Sequence, residues 1–395
     1  MRHWNTGGHN KALCKRIKRT GGAEKFHADQ KYNEAVAEAV EACAEYVPEG
    51  ATCYICTEAV VQRTGEGLVV EYCACGDRDG VDAGMTGIAH VSCLVRQAEL
   101  AQNDEMSSSW ASTQDRFGLW ESCRLCGKRY HGEVQCAMGW ACWRAQISKP
   151  ADHMVRRAAM DILAGSLAQN GRHDEALDTY KASLDIVRHH NPSLLTDHPV
   201  VSFQLAQSCM ALQTNIANTL MLLGRNDEAI SRHRRLLRGK ELMFREGGWS
   251  GDRLVARVAS EDRLISMLNL CTALIERKPT SRSMLREARS MLRANMADAQ
   301  RVFGPNSNYH EYAFSWRGNY ARSIFFDEQA TEADLLEAGE VADAAYEAAR
   351  QTFGEDHPLT QKLAREGYDS ADSDSESTAD GGAPGEVPGE ASEAA

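Results

Sequence analysis

Apolar side chains recur every three or four residues along most of this chain, which is the spacing of helices that bury one face. The first such segment covers 22–46, where Tyr32, Val36, Val40 and Cys43 fall on one side. A much longer segment covers 151–366. Residues 50–145 lie between them and are rich in closely spaced Cys. The pattern therefore predicts a mostly α protein in which a small module separates two helical parts.

The long segment contains an internal repeat. Residues 163–176 and 216–229 share the pattern apolar-Ala-x2-Leu-x3-Gly-Arg-x2-Glu-Ala, 53 positions apart, and weaker copies begin at Asn269 and Gly318. Two Phe-Gly endings, at Phe303 and Phe353, lie 50 positions apart. The pattern resembles the tetratricopeptide repeat, and long helices with this ending are similar to its kinesin light chain version. The resemblance implies helix pairs stacked into an α-solenoid over 151–368.

A stack of helix pairs leaves a concave groove that can hold an extended peptide. Asn215, Asn218 and Asn269 fall at or beside groove-facing positions of the first helices. An amide side chain both donates to and accepts from a peptide backbone, so these three residues are predicted to bind a peptide or protein partner. The alternative is that they form hydrogen bonds with neighbouring helices, and the sequence does not separate the two interpretations.

Four close pairs of metal-binding residues mark the module at 50–145. Their eight members, in chain order, are Cys53, Cys56, Cys73, Cys75, His90, Cys93, Cys123 and Cys126. Zinc prefers four sulfur or nitrogen donors in a tetrahedron, and one close pair supplies two donors from a single turn. Four such pairs therefore predict two bound Zn2+ ions.

Seven Cys with a His in fifth place resemble the RING-CH finger. In that family the pairs interleave, which implies one zinc on the first and third pairs and a second zinc on the second and fourth. A PHD finger has the same ligand order, but its second pair usually has two intervening residues, whereas Cys73 and Cys75 have one. The resemblance implies a small two-zinc cross-brace finger in front of the solenoid.

Further Cys and His residues flank the finger. The first possibility is that His131, Cys136 and Cys142 are further metal ligands. The second is that they lie on a helix packed under the finger. Eight ligands already satisfy two zinc ions, so the helix is predicted. In 4–14 the pattern Trp-x4-His-x4-Cys resembles the end of a MYND finger, either as a remnant or by chance. Two ligands do not close a structural zinc site, so no metal is predicted there.

The formal net charge of −12 is unevenly spread. Residues 1–20 carry six bases and no acid, whereas 369–395 carry eight acids and no base. The acidic excess disfavours general nucleic-acid binding. No segment approaches the roughly 18 apolar residues of a membrane span, and the start has no secretory signal. With the clustered Cys interpreted as metal ligands, the chain is predicted to be a soluble protein of the cytoplasm or nucleus without a membrane partner.

These features divide the chain into four parts. Residues 1–49 are a basic start with the MYND-like remnant and a helix, and 50–145 are the finger with its trailing helix. Residues 151–368 are the repeats. Residues 369–395, with almost nothing apolar to bury, are predicted to be an acidic disordered tail.

Two functional hypotheses follow. The RING-CH resemblance implies a ubiquitin ligase, whose finger docks a ubiquitin-conjugating enzyme and holds its thioester-linked ubiquitin in a reactive pose. Ile55 matches the hydrophobic contact that this family has just before the second Cys, but Gln97 replaces the Trp that often follows the sixth ligand. The alternative is a non-catalytic scaffold for protein–protein interaction, in which zinc serves folding alone. Without a phosphate loop or a nucleophile motif, no catalytic residue is assigned.

Overall fold

The computed structural model describes residues 11–44, 47, 49–60, 88–102, 117–125, 127, 129–191, 203–246, 253–304, 311–355, 357 and 359–365. The prediction of a mostly α protein is confirmed, because within these residues the only β structure is isolated bridges such as those of Thr52 with Ala59 and of Ser122 with Arg129. The predicted tail and the MYND-like Trp4 and His9 lie outside them.

The helices are, in chain order, α1 (Lys11–Arg19), α2 (Ala23–Cys43), α3 (Val91–Gln102), α4 (Gly132–Gln146), α5 (Met154–Gln169), α6 (His173–His190), α7 (Phe203–Leu222), α8 (Asn226–Glu246), α9 (Arg253–Glu276), α10 (Arg282–Ala294), α11 (Met296–Val302), α12 (Glu311–Phe325) and α13 (Glu332–Phe353). Shorter helical stretches cover 117–121 and 359–365. No helix of the described residues is both long and apolar enough to cross a membrane. The chain forms two compact units, Met1–Ala229 and Ile230–Ala395.

Helix α4 is the centre of the first unit. It packs against α2, α3 and α5, and its residues from Val134 to Trp143 are buried on every side. A helix that is apolar all round belongs in a core, which is what the run of small, aromatic and sulfur-containing side chains in α4 provides. Cys136 and Cys142 are both fully buried there. Cys136 and Cys142 thus lie on the helix predicted there, and His131 immediately precedes it.

Two turns in the first unit have the same construction. Gly171 follows α5 with φ 74°, and Gly224 follows α7 with φ 72°, a backbone conformation that favours glycine. In each case the next residue is an Arg whose guanidinium donates two hydrogen bonds to the carboxylate of a Glu three residues later. The two N–O distances are 2.7 and 2.9 Å in both turns. The repeated sequence pattern thus corresponds to a repeated turn between paired helices.

Helices α4 and α5 approach closely at Gly139. A Cβ placed on Gly139 would lie 3.0 Å from Ser166 Cβ and 3.4 Å from Leu163 Cα, and it would also overlap Ser166 Oγ. The hydroxyl of Ser166 is held in place because it donates to the Leu163 carbonyl at 2.8 Å. Only glycine therefore allows the two helices to pack at this distance.

Gly139→Ala is expected to destabilise the first unit by about 1–3 kcal/mol, because the added methyl group forces the α4 and α5 backbones apart. Gly165→Ala is the matched control. A Cβ at Gly165 meets only the Tyr180 hydroxyl, at 3.5 Å, and the better helix propensity of Ala would stabilise by about 0.5–1 kcal/mol. Urea denaturation of the full chain followed by circular dichroism measures both. Equal stability of the two variants would contradict the close approach.

In the second unit, α9 packs against α10, α10 against α12, and α12 against α13. Alanines at the contacts, among them Ala288, Ala338 and Ala345, are fully buried and let the helices lie close together. His233 on α8 is also fully buried. Burial, and then the nearby Lys240 ammonium, lower the pKa of His233 to about 4, so its imidazole is neutral at physiological pH.

Candidate metal centre and repeat cavity

The first Cys pair lies on a tight turn. Thr52 and Ala59 form an antiparallel bridge, and within it the Cys53 N–H donates to the Glu58 carbonyl at 2.9 Å. The Thr57 N–H donates to the Cys53 carbonyl at 2.8 Å, and Thr57 has φ 64°, in the left-handed region. The chain reverses within six residues, so both sulfurs of the pair are presented on the same side.

The third pair begins helix α3. The Cys93 and Leu94 N–H groups both donate to the His90 carbonyl, at 3.0 and 3.1 Å, which makes His90 and Cys93 neighbours on the first turn. The Tyr54 N–H donates to the Ile88 carbonyl at 2.9 Å and brings the start of α3 against the first turn. Residues 34 positions apart in the sequence therefore meet.

The ligand atoms of Cys53, Cys56, His90 and Cys93 all lie within 4.8 Å of one another. His90 Nδ1 is 3.4 Å from Cys56 Sγ and 3.7 Å from Cys93 Sγ. Tetrahedral zinc with sulfur bonds of about 2.3 Å requires donors roughly 3.7 Å apart, so the set fits that metal. The structure thus brings together the first and third predicted pairs as one Cys3His cluster.

The His90 ring is oriented by a backbone carbonyl. Its Nε2 lies 3.3 Å from the Ala59 oxygen, which can only accept, so Nε2 carries the proton and donates. The lone pair of Nδ1 then points toward the three sulfurs. A carbonyl that holds the second ring nitrogen is the usual partner of a metal-binding His.

The thiols of the cluster differ in acidity. Burial raises the pKa of Cys53, but hydrogen bonds from the backbone N–H groups of Cys56, His90 and Ile55 more than offset this and lower it to about 7. Burial, together with the neighbouring Cys56 and Cys53, raises the pKa of Cys93 to about 12. Three thiolates packed this closely require a cation to neutralise them, which is the chemistry a zinc ion supplies.

The fourth pair has the same turn as the first. Ser122 and Arg129 form an antiparallel bridge, the Gly127 N–H donates to the Cys123 carbonyl at 2.8 Å, and Gly127 has φ 72°. The Leu125 N–H donates to Cys123 Sγ at 3.4 Å. Cys73, Cys75 and Cys126 lie outside the described residues. The second zinc therefore stays a prediction, supported by a turn shaped like the one that carries Cys53 and Cys56.

An amide clamp attaches this part of the finger to α4. Gln102 Oε1, at the end of α3, accepts hydrogen bonds from Trp120 Nε1 at 3.2 Å and from Gln146 Nε2 at 2.9 Å. Trp120 lies in the helical stretch 117–121 and is almost completely buried. The clamp joins α3, the segment before Cys123 and the central helix.

The predicted docking residues lie on or near the finger surface. Ile55 is half-buried and packs against the core of the first unit. Gln97 is half-buried on α3. Two exposed leucines that the sequence interpretation missed lie on the same elements, Leu100 on α3 (56% exposed) and Leu125 in the fourth pair (39% exposed). The sequence carried a signal for each of them. Leu125 lies within a Cys-x2-Cys pair, and Leu100 follows the predicted ligand Cys93 by seven residues, which is two helical turns.

A cavity of about 210 Å³ lies in the second unit. It is lined by residues of α9, α12 and the stretch 359–365, namely Leu268, Asn269, Thr272, Tyr312, Ser315, Asn319, Leu359, Lys362 and Leu363. The structure thus places the predicted Asn269 in a cavity between first helices of neighbouring repeats. Asn319 was missed, although it follows Asn269 by 50 positions, the same spacing as the two Phe-Gly endings.

The side-chain amides of Asn319 and of the three predicted Asn residues differ in their hydrogen bonds. Asn319 Nδ2 donates to Thr272 Oγ1 at 2.7 Å, and its oxygen accepts from Arg322 at 3.1 Å. Asn215 and Asn218 are half-buried on α7 in the first unit. Within the described part of the chain, no hydrogen bond is formed by the side chains of Asn215, Asn218 or Asn269. Their role in partner binding stays a prediction.

Comparisons with known proteins agree with the repeats. A family model described as tetratricopeptide repeat matches residues 211–242. No curated protein sequence matches the chain. Two crystal structures of kinesin light chain nearly identical TPR-like repeats from Podosopora anserina are similar to it, both with a TM-score of 0.36. The first is 17% identical in sequence, and the alignment covers 66% of this chain and 95% of the chain in that structure. The second is 19% identical, and the alignment covers 67% of this chain and 99% of the chain in that structure. Nothing about partners transfers at this similarity. The family match shows that the chain contains a tetratricopeptide repeat at 211–242.

Proposed function

We propose that this protein is an interaction scaffold whose helical repeats bind an extended peptide of a partner and whose finger is held by zinc. The observation that carries the proposal is the cavity between α9 and α12. Its lining includes the apolar side chains of Leu268, Leu359 and Leu363 and the amide of Asn269. Such a combination holds a peptide side chain and pairs with the peptide backbone at the same time.

Fixed polar geometry supports this role. Asn319 is oriented by Thr272 and Arg322, and Arg322 is in turn paired with Glu276 at 3.3 Å. A binding site built on rigid helices keeps its shape without the ligand, which lowers the entropic cost of binding. The Asn269 amide, which forms no such internal bond, remains available to a peptide.

A random peptide library displayed on phage, selected on the full chain, tests the proposal. Selected peptides are expected to bind about tenfold more weakly to Asn269→Ala, because one backbone hydrogen bond is worth about 1 kcal/mol or slightly more. Gln361→Ala is the matched control, since Gln361 is an exposed amide beside the cavity residue Lys362 but does not line the cavity. Failure to enrich peptides, or equal binding by both variants, would contradict the proposal.

A ubiquitin ligase is the second candidate. Ile55, Leu100 and Leu125 supply apolar side chains on the turns and helix that carry the metal ligands, which is where a conjugating enzyme would dock in a RING-CH finger. An in-vitro ubiquitination assay with a panel of conjugating enzymes tests it. Ubiquitin chains that disappear with Leu125→Ala, at unchanged zinc content, would support ligase activity. If no conjugating enzyme yields ubiquitin chains, the ligase hypothesis is rejected and the scaffold is the remaining candidate function.

A further inference from the structure

Helices α8 and α10 meet in the second unit through an ion pair. Arg234 Nη2 on α8 lies 2.6 Å from Glu287 Oε2 on α10. Three arginines within four residues of this pair in the sequence, Arg235 and Arg238 on α8 and Arg286 on α10, are exposed. Among the residues that the structure describes, no acidic side chain forms an ion pair with any of these three. They are named here the arginine face.

The other arginines of α10 are already engaged. Arg282 and Arg289 contact Asp327, each at 3.2 Å, and Arg293 contacts Glu337 at 2.7 Å. Helix α10 carries four arginines and one glutamate, and that glutamate is held by Arg234. Asp327 and Glu337 thus pair with other arginines of α10, and within the described residues the three arginines of the arginine face take part in no ion pair.

The chain contains a segment of matching charge. Residues 369–395 carry eight acids and no base, with almost no large apolar side chain. They follow the helical stretch 359–365, which belongs to the same unit as α8 and α10. The thirty residues after 365 reach up to about 100 Å when extended, whereas a helix the length of α9 is only about 36 Å long. The segment can therefore reach any surface of the second unit.

We propose that the arginine face holds residues 369–395 of the same chain. Single exposed ion pairs are weak, but attachment to the same unit gives the acidic segment an effective concentration on the order of millimolar. The low apolar content of the segment excludes it from the cavity of α9 and α12 and directs it to a charged surface instead. The contact is expected to weaken with salt, since exposed charges are screened.

A fluorescently labelled peptide with the sequence of 369–395, added to full-length protein, tests the proposal by fluorescence anisotropy. The reference protein carries Asn or Gln in place of the eight acids, so that its own tail does not compete. Replacing Arg235, Arg238 and Arg286 by Gln in this protein is expected to weaken binding about tenfold, as the loss of three exposed ion pairs implies. The wild-type chain is expected to bind the peptide several-fold more weakly than the reference, because its own tail occupies the face.

The matched control replaces Lys15, Lys18 and Arg19 by Gln, three exposed cations on α1 in the first unit. It changes the net charge by the same amount and is expected to leave peptide affinity unchanged. Melting curves of all variants show whether the helices remain folded. Equal affinity of the arginine-face variant and the α1 variant would overturn the proposed surface. Equal affinity of the wild type and the reference would overturn binding within one chain.

Discussion

Removal of zinc by a strong chelator is expected to unfold the finger around residues 50–60 and 88–93. A structural zinc site contributes on the order of 10–16 kcal/mol, and the segments that carry Cys53, Cys56, His90 and Cys93 contain little regular hydrogen-bonded structure before α3 begins. Among the described residues, the Tyr54 N–H joins them by donating to the Ile88 carbonyl, whereas the bridge between Thr52 and Ala59 lies inside the first turn. Limited proteolysis with mass spectrometry measures the loss of protection, and atomic absorption gives the zinc content.

Cys56→Ser is expected to reproduce this effect, with the loss of one zinc per chain. Cys14→Ser is the matched control, because Cys14 lies half-buried on α1 and belongs to no metal-binding group of the described residues. Two zinc ions in the wild type would support the second site at Cys123 as well. A chelated protein that remains protected at 50–60 would contradict a structural metal there.

Asp327→Ala is expected to destabilise the second unit by about 3–5 kcal/mol, because it leaves the partly buried Arg289 and the more exposed Arg282 without their shared partner. The Asp327 side chain is only 3% exposed and lies between Arg282 Nε and Arg289 Nη2, both at 3.2 Å. Arg289 also donates to the Ser323 carbonyl at 2.7 Å. The network joins α10 to the turn between α12 and α13, so its loss weakens the contact between two repeats.

Asp298→Ala is the matched control for this network. Asp298 pairs with Arg301 at 2.7 Å, but both side chains are largely exposed, so the loss is expected to be below about 1 kcal/mol. Thermal unfolding of the full chain compares the two variants, with a shift of roughly 10 °C expected for Asp327→Ala. Similar shifts in melting temperature for both variants would show that the Asp327 network stabilises the protein no more than a surface ion pair does.

Much of the helical structure is predictable from local patterns. The helix predicted over 22–46 is Ala23–Cys43. The repeat pattern located the turns at Gly171 and Gly224, because a left-handed residue after a helix is a local requirement. The joining of Cys53 and Cys56 with His90 and Cys93 came from a family resemblance, because pair spacing alone does not say which pairs meet.

The sequence by itself determined the helical class, the repeat, the turns between paired helices and the capacity of the first and third Cys/His pairs to hold a metal ion. Each of these depends on residues close together in the chain. Only the tertiary structure decided that α4 is the buried centre of its unit, that Gly139 lies against Ser166, and that Asp327 is enclosed by two arginines of another helix. It also decided which arginines keep an exposed charge. Such contacts join residues distant in sequence, and their energies depend on burial and distance, which no local pattern encodes.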